Sequence, residues 1–292
     1  MEQALRQAGV AHDVAWTTGP GDGARIAAAA WQQGRARFLV AGGDGSVHDV
    51  VNGLMTAQRA HGAPASPEPP RLPTLVPLPL GTGNDWSRSL ALPGDPAALA
   101  ALIRRDHAVS HDVGRIEFPA SGTTPARTCW FINVAGAGFD AHVIERMPAR
   151  TPSKLAYLAG ALRELARYRS PAFRLTADDE REAAARRLLL VFVANGQYCG
   201  GRMHVAPAAR QDDGAFDLVT IDDVGLLRAL PKLARLYLGN LLRDPLVQHR
   251  LVNRVCITAE PVAGIEADGQ FVGRTPTVIS VERGALRTLR GP

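Results

Sequence analysis

The sequence predicts an α/β domain followed by an all-β domain, because the pattern of apolar residues changes near residue 110. Before that point, short apolar runs alternate with segments of helical period, which indicates a parallel sheet with helices on its faces. After it, strand-like runs follow one another with turn residues between them, as in an antiparallel sandwich. We therefore expect residues 1–110 to form the α/β domain and residues 111–282 the β-sandwich. Residues 283–292 are expected to return to the first domain.

The composition is ordinary for a globular protein. The chain has 292 residues, which suits two domains, and 46% of them are hydrophobic against 21% charged. No run of about 18 apolar residues is present, so we expect no transmembrane helix. The N-terminus lacks the basic start and apolar core of a signal peptide, and three widely spaced cysteines fit a reducing compartment. We therefore expect a cytoplasmic protein.

The formal net charge is +5, and nearly all of the basic residues are arginines. Such an excess favours phosphate-rich ligands, nucleic acid or an anionic membrane surface, although an arginine-rich proteome would give the same composition. The arginines are scattered through the second half of the chain rather than gathered into one basic block. We therefore do not expect nucleic acid as a partner.

In the predicted α/β domain, each element is assigned from the period of its apolar residues. Short undivided apolar runs predict buried parallel strands, and an i, i+3, i+4, i+7 spacing predicts amphipathic helices. Residues 61–73 are too rich in proline for either and predict a loop. The predicted strands are residues 11–18, 36–43 and 74–81, and the predicted helices are residues 22–34, 46–58 and 95–105.

The predicted sandwich consists of strand-like runs interrupted by two amphipathic helices, residues 153–169 and 225–242. These helices and the arginines offer a docking surface for a membrane, but buried helices show the same pattern, and we favour burial. The predicted strands are residues 111–118, 127–136, 172–178, 187–196, 216–221 and 253–259.

A glycine-rich turn joins the second predicted strand to its helix. Gly42, Gly43 and Gly45 would let backbone N–H groups face an anion at the start of a helix. The alternative is structural: Ser46 caps the helix and the glycines relieve a tight corner. One turn alone leaves both interpretations open.

A second turn favours the functional interpretation. Gly81 and Gly83 follow the next predicted strand, interleaved with Thr82, Asn84 and Asp85. Turns on successive parallel strands lie side by side at the carboxyl edge of a sheet, where α/β folds bind ligands. Together with Asp44 of the first turn, they supply the donors, hydroxyls and carboxylates that phosphoryl transfer needs. Neither turn matches a P-loop or a G-x-G-x-x-G fingerprint.

These motifs resemble the diacylglycerol kinase catalytic-domain family, which includes bacterial lipid kinases and sphingosine kinases. "GGDGS" at 42–46 is similar to the family's GGDGT nucleotide motif, and "PLGTGND" at 79–85 to its second motif, PxGTxND. The likeness continues through "NVAGAGFDAHV" at 133–143 and "NGQYCGGRMHVAPAARQDDGAFDLV" at 195–219 to "EADGQ" at 266–270. It covers almost the whole chain, and the motifs stand in the family's order.

The resemblance implies an α/β nucleotide domain similar to that of 6-phosphofructokinases and NAD kinases, then a β-sandwich, with ATP in the cleft between them. Asp44, Asn84 and Asp85 would organise the phosphates and a catalytic Mg²⁺. The nucleotide-binding positions by motif are Thr17, Gly42, Gly43, Asp44, Gly45, Ser46, Asp49, Gly81, Thr82 and Asn84.

The resemblance also assigns two sites in the second domain. Asp268 falls on the catalytic base, which would take the proton of the attacking hydroxyl. A structural Mg²⁺ would bind Asp213 and the backbone carbonyls of Phe216 and Leu218. Without the resemblance, "ADGQ" predicts a hairpin turn and "RQDDGAFDL" a polar turn before a strand.

The sequence departs from the family pattern in three places. The family opens with a strand and an Asn-Pro loop, whereas this chain begins in the following helix, so the first strand of the α/β domain is expected to be missing. The family's Asn-Glu after the first turn is His48 and Asp49 here, and the glutamate of its DGE motif is Gln270.

We expect an ATP- and Mg²⁺-dependent lipid kinase that phosphorylates a hydroxyl of a diacylglycerol-like or sphingoid lipid. Since such a substrate stays in the bilayer, the enzyme would work peripherally at the inner face of the membrane, and a homodimer is one expected assembly. Two alternatives stay open: a catalytically impaired nucleotide- or lipid-binding protein of the same fold, and a kinase of a soluble hydroxyl substrate.

Overall fold

The computed structural model describes residues 1–60, 72–146, 154–178, 180, 184–224 and 235–291, without the side chains of residues 154–158. The first part of the chain alternates helices and strands, as predicted. Its elements are α1 (Glu2–Gln7), α2 (Asp22–Gln32), β1 (Arg37–Gly42), α3 (Asp44–Ala60), β2 (Thr74–Pro79), α4 (Asp85–Ser89) and α5 (Pro96–Arg105).

The second part is mostly strand. Its strands are β3 (Ala108–Phe118), β4 (Arg127–Phe131), β5 (Val134–Gly138), β6 (Ala172–Ala177), β7 (Arg186–Ala194), β8 (Tyr198–Cys199), β9 (Met203–His204), β10 (Phe216–Asp222), β11 (Val247–Val252), β12 (Arg254–Glu260), β13 (Gly264–Ala267), β14 (Gln270–Arg274) and β15 (Thr277–Leu289). Its helices are α6 (Phe139–Arg146) and α7 (Lys154–Arg167), with a 3₁₀ turn at Leu241–Arg243.

The two parts share one curled mixed sheet, in the order β1-β2-β15-β12-β6-β7-β5-β13-β14. β1 and β2 are parallel. β15 is parallel to β2 at Arg287 and Thr288, antiparallel to β12 at residues 277–280 and antiparallel to β3 along most of its length. The C-terminal strand therefore runs along both parts of the chain. The domain boundaries themselves stay a prediction.

Separate cores lie on the two sides of β4, because side chains alternate along a strand. Trp130 packs with Val51, Leu54 and Trp86 in the core beneath α3. Its neighbour Phe131 packs into the sandwich core, where its ring lies 5.5 Å from that of Phe216. β4 thus ties the helical layer to the sandwich.

The predicted strand at residues 11–18 is wrong. This segment forms no strand, and its Val14 and Trp16 side chains are 50% and 80% exposed. A strand needs a hydrogen-bonding neighbour, and within the described residues β1 pairs only with β2.

Other boundaries also differ from the prediction. The run at 127–136 divides into β4 and β5, because the backbone at Ile132 and Asn133 turns its N–H groups toward a side chain. α3 begins at Asp44, two residues before the predicted start. The predicted loop at 61–73 and helix at 225–242 lie largely outside the described residues, as does the start of the helix at 153–169.

Candidate active site

The two glycine turns lie against each other. β1 and β2 are in register with Gly42 beside Pro79, and the N–H of Leu80 donates to the carbonyl of Gly42 at 3.0 Å. A Cβ on Gly43 would lie 3.1 Å from the Cα of Gly81, and the reverse contact would be closer. The prediction that the two turns lie side by side is confirmed. Glycine is required at both positions because the two backbones touch.

The first turn leads directly into α3. Asp44 opens the helix, and Ser46 lies inside its first turn, donating its N–H to the carbonyl of Gly43 at 3.0 Å. The structural interpretation of Ser46 as a helix cap is therefore wrong. Ser46 and Thr82 are both exposed at the two turns.

Asp44 bridges the turns. Its Oδ1 accepts the N–H of Asp85 at 2.9 Å. Burial raises the pKa of this carboxyl, and the nearby Asp85 and Asp268 carboxylates raise it further. Within the described residues, no basic side chain forms an ion pair with Asp44. A carboxylate with anionic neighbours and no counter-charge is a suitable partner for a hard cation.

The buried carboxylate of Asp85 instead holds a turn of the second half of the chain. It accepts the N–H of Gly201 at 2.7 Å and that of Arg202 at 2.8 Å. Asn84 closes its own turn, accepting the N–H of Gly81 at 3.1 Å and donating to the carbonyl of Gly81 at 2.6 Å. Both side chains are committed to backbone groups, so the structure places them as supports of the turn.

Asp49 connects α3 to the loop that carries Thr17. Its Oδ2 accepts the N–H of Gly21 at 3.2 Å. Thr17 itself is exposed. The structure therefore brings the Thr17 loop beside the first turns of α3.

Asp268 lies at the corner of the β13–β14 hairpin, as the turn chemistry predicts. Asp268 and Gly269 both have left-handed backbone conformations, with φ of 51° and 81°. The carboxylate accepts N–H groups from the β4–β5 segment: Ile132 at 3.0 Å, Asn133 at 2.9 Å and Val134 at 3.3 Å. The hairpin is thus fixed against the break between β4 and β5.

The same hairpin contacts the start of α3. Nδ1 of His48 lies 3.3 Å from Oδ2 of Asp268. The amide nitrogen of Gln270 would lie 3.2 Å from a Cβ at Gly45. Positions 42–49, 81–85 and 266–270 therefore meet in space, although they are separated by up to about 220 residues.

A buried pair of carboxyl groups lies behind this hairpin. Asp140 and Glu266 both approach Gly136 so closely that a Cβ there would contact both side chains. Burial raises the pKa of Asp140 to about 7, and burial together with Asp140 raises that of Glu266 well above its usual range. Glu266 also accepts the N–H of Gly269 at 2.8 Å. The pair therefore supports the turn that carries Asp268.

Two further residues that support the site, His111 and Asp112, lie in "SHDVG" at residues 110–114. Asp112 accepts the N–H groups of Gly214 and Gly284, both at 2.7 Å. His111 is fully buried, donates to the carbonyl of Asp112 at 2.6 Å and accepts the indole N–H of Trp86 at 2.9 Å. Sequence reasoning missed these residues and the Asp140–Glu266 pair, because their partners lie far away in the chain and no local pattern marks them.

The structural Mg²⁺ site expected at Asp213 stays a prediction. Asp213 is exposed and accepts the N–H of Ala215 at 3.1 Å within its own turn. Phe216 and Leu218 lie in β10, where Leu218 has strand neighbours on both sides. No group of three or more His, Cys, Asp or Glu side chains in the described chain is arranged to hold a metal ion. The predicted site consists of one carboxylate and two backbone carbonyls, so it would not form such a group.

Comparisons with known proteins show the family of the chain. The chain matches the family model of the diacylglycerol kinase catalytic domain over residues 1–116 and that of the YegS C-terminal NAD kinase beta sandwich-like domain over residues 133–290. It is 30% identical to a diacylglycerol kinase of Mycobacterium tuberculosis, over 92% of this chain and 81% of that one.

Solved structures show the same fold. A diacylglycerol kinase from Bacillus anthracis superposes with a TM-score of 0.69 at 23% identity, covering 99% of this chain and 88% of that one. An NAD kinase from Archaeoglobus fulgidus in complex with ATP gives 0.50 at 15% identity, covering 99% and 87%. The expected NAD kinase-like fold is confirmed. The chain belongs to the diacylglycerol kinase catalytic-domain family and is a lipid kinase.

Proposed function

We propose that this kinase uses ATP and Mg²⁺ to phosphorylate a hydroxyl of a diacylglycerol-like or sphingoid lipid at a membrane surface. The observation that carries the proposal is the meeting of the two glycine turns, Asp44 and the Asp268 hairpin at the start of α3. Backbone N–H groups at a helix start suit the phosphates of a nucleotide. The turns would therefore hold the donor, with the hairpin on the side of the acceptor.

Asp44 is the residue that we propose for the catalytic Mg²⁺. Mg²⁺ in kinases is commonly held by one or two carboxylates together with substrate phosphates and water, so it needs no three-ligand cage. The positive charge of the bound Mg²⁺ would offset the negative charge that develops on the phosphates during transfer. The anionic surroundings of Asp44 support this assignment.

The lipid acceptor and the membrane surface rest on the family. Relatives across the family are named diacylglycerol kinases. No helix in the described residues is long and apolar enough to cross a bilayer. We propose that the enzyme binds the cytoplasmic side of the membrane as a peripheral protein. A homodimer is the assembly that we propose to test.

The test is transfer of labelled γ-phosphate from ATP in the presence of Mg²⁺ and mixed vesicles containing diacylglycerol or a sphingoid base. We expect a labelled lipid product, and at least a 100-fold loss in Asp44→Asn. Asp13→Asn, an exposed carboxylate in the N-terminal segment, serves as the control. Transfer to a soluble alcohol but not to lipid would overturn the lipid assignment.

The variant Gln270→Glu tests whether the chain is an active kinase or a catalytically impaired one. Glu at this position restores the family's charge beside Gly45, where the amide of Gln270 now lies. If wild type and Gln270→Glu both bind ATP without forming any product, the chain is a binding protein rather than a kinase. Turnover by the unmodified chain would exclude that alternative.

A further inference from the structure

The hairpin of β8 and β9 carries an arginine on a backbone that favours glycine. Arg202 has a φ of 90°, whereas the other non-glycine residues with positive φ in the described chain have values of 48–55°. Residues with a Cβ that enter the left-handed region keep to about 50–70°. The two preceding residues, Gly200 and Gly201, also have positive φ. A third glycine would fit the turn without strain, so the arginine side chain requires an explanation.

The second glycine turn fixes the backbone of Arg202. The buried carboxylate of Asp85 accepts the N–H groups of Gly201 at 2.7 Å and of Arg202 at 2.8 Å. The N–H of Asp85 in turn donates to Asp44, the carboxylate that we propose for Mg²⁺. Strained residues persist where the surrounding structure over-determines them, and they cluster at ligand sites. Asp85 therefore holds Arg202 against the turn that we assign to the nucleotide phosphates.

The β8–β9 hairpin also reaches the acceptor side of the site. Asn133, whose N–H binds the Asp268 carboxylate, donates from its side-chain amide to the first carbonyl of β8 at 2.6 Å. Burial raises the pKa of the Cys199 thiol, and carboxylates on both sides, including Glu266 and Asp85, raise it further. The hairpin thus extends from the second glycine turn to the Asp268 hairpin. A phosphoryl group that passes from donor to acceptor must cross this boundary.

The side chain of Arg202 is available for an anion. It is exposed, and within the described residues its guanidinium forms no ion pair or hydrogen bond. Arg88 of α4, in contrast, is committed to the second glycine turn, where it donates to the carbonyl of Gly83 at 3.3 Å. An arginine that served only solubility would need no left-handed backbone, because any exposed loop position keeps it in water. A planar guanidinium can donate two parallel hydrogen bonds to a phosphate.

We propose that Arg202 binds the γ-phosphate of the nucleotide from the sandwich side of the site; this inference rests on the kinase reaction proposed above. The guanidinium donates to two oxygens of the γ-phosphate and makes or breaks no covalent bond. Together with the cation proposed at Asp44, it offsets the negative charge of the transferred group. Asp85 sets the position of the arginine through its backbone.

The first test compares two nucleotides that differ in the γ-phosphate. Calorimetric titration with Mg²⁺ measures the Kd of ADP and of a non-hydrolysable ATP analogue. A hydrogen bond to a charged group is among the stronger ones, so we expect Arg202→Gly to weaken binding of the analogue by about 10-fold or more and that of ADP by less than about 2-fold. Arg202→Lys keeps the charge without the planar pair of donors and should lie between.

Arg104→Ala, at an exposed arginine of α5, is the control for the lost positive charge and should bind both nucleotides as wild type does. Unchanged binding of the analogue in Arg202→Gly, or equal weakening of both nucleotides, would overturn the proposal.

The second test separates a binding role from a structural one. Arg202→Gly removes the backbone strain together with the side chain, so its melting temperature should not fall below that of wild type. Ala91→Gly is the matched control, because Ala91 also has a positive φ, of 50°, and should keep wild-type affinity for both nucleotides. A lower melting temperature in Arg202→Gly would show that the arginine supports the fold, which contradicts the inference.

Lipid phosphorylation distinguishes this inference from the proposed function. If wild type forms lipid product and Arg202→Gly has the same kcat/KM for ATP, the inference fails while the function stands. If the analogue binds through Arg202 but wild type forms no lipid product, the proposed function fails while the γ-phosphate site stands.

Discussion

The carboxylate of Asp85 accepts a 2.8 Å hydrogen bond from the backbone N–H of Arg202, 117 residues further along the chain. Arg202 has a φ of 90°, a left-handed conformation that costs a non-glycine residue about 1–3 kcal/mol. The second bond of Asp85, to Gly201, holds the same turn. Asp85 therefore joins the second glycine turn to the sandwich side of the site.

Replacing Asp85 should loosen this junction. In Asp85→Asn one oxygen becomes an NH₂ group that faces a backbone donor, so we expect the free energy of unfolding to fall by about 1–3 kcal/mol. KM for ATP should rise more than kcat falls, because the nucleotide turn is displaced. Urea denaturation and steady-state kinetics measure both. Asp13→Asn, which removes only an exposed ion pair, should change stability by less than about 0.5 kcal/mol. Equal effects of the two changes would contradict this role.

The contact between the glycine turns predicts a second result. In Gly81→Ala the new Cβ would lie 3.1 Å from the nitrogen of Gly43 and closer to its Cα, both backbone atoms that cannot rotate away. We expect a loss of about 1–3 kcal/mol in unfolding free energy and weaker ATP binding. Gly94→Ala is the control, since a Cβ there meets no atom within 4 Å. The close approach is refuted if Gly81→Ala binds ATP as tightly as Gly94→Ala does.

The burial of His111 predicts that the protein becomes less stable as the pH falls. Burial lowers its pKa to about 4, against an ordinary value of about 6.5. As the pH falls below 6.5, the unfolded chain binds a proton that the folded chain excludes until about pH 4. The free energy of unfolding should therefore fall by up to about 3 kcal/mol across this window. In His111→Gln this component is absent, so the stability difference from wild type should shrink as the pH falls from 7 to 4.5. A constant difference would show that His111 does not titrate in this way.

The buried Asp140–Glu266 pair predicts the opposite dependence on pH, in which the protein becomes less stable as the pH rises. Because the folded pKa values lie above the unfolded ones, the unfolded chain loses protons first as the pH rises, and stability declines from about pH 4 toward pH 7. Glu266→Gln removes one ionisable group, and its amide has a hydrogen for Oδ2 of Asp140, which now has no hydrogen-bond partner. We expect its melting temperature to exceed that of wild type at pH 8 and to match it near pH 4.

Glu2→Gln, at an exposed residue of α1, is the matched control for that change and should show no such pH-dependent gain. A Glu266→Gln variant less stable than wild type at pH 8 would show that the charge of Glu266 is needed in the folded protein.

Local patterns in the sequence predict the order of many elements and the motifs of the site. Strand, turn and helix are local patterns, so α2, β1, α3 and β2 follow from apolar periods and glycine positions. The prediction that the two turns lie side by side also followed, because parallel strands place their carboxyl ends together. The strand predicted at residues 11–18 is not formed, because a strand also needs a hydrogen-bonding neighbour, which the local pattern does not show.

The contacts of each carboxylate follow from the packing of distant segments and not from local sequence. Asp44, Asp85 and Asp268 look alike in sequence. In the described part of the chain, Asp44 has anionic neighbours and no basic ion-pair partner, whereas Asp85 and Asp268 are held by backbone N–H groups from distant segments. The contact of His48 with Asp268 spans 220 residues. Such contacts depend on how the hairpin packs against α3, and chain-local patterns carry no information about that packing.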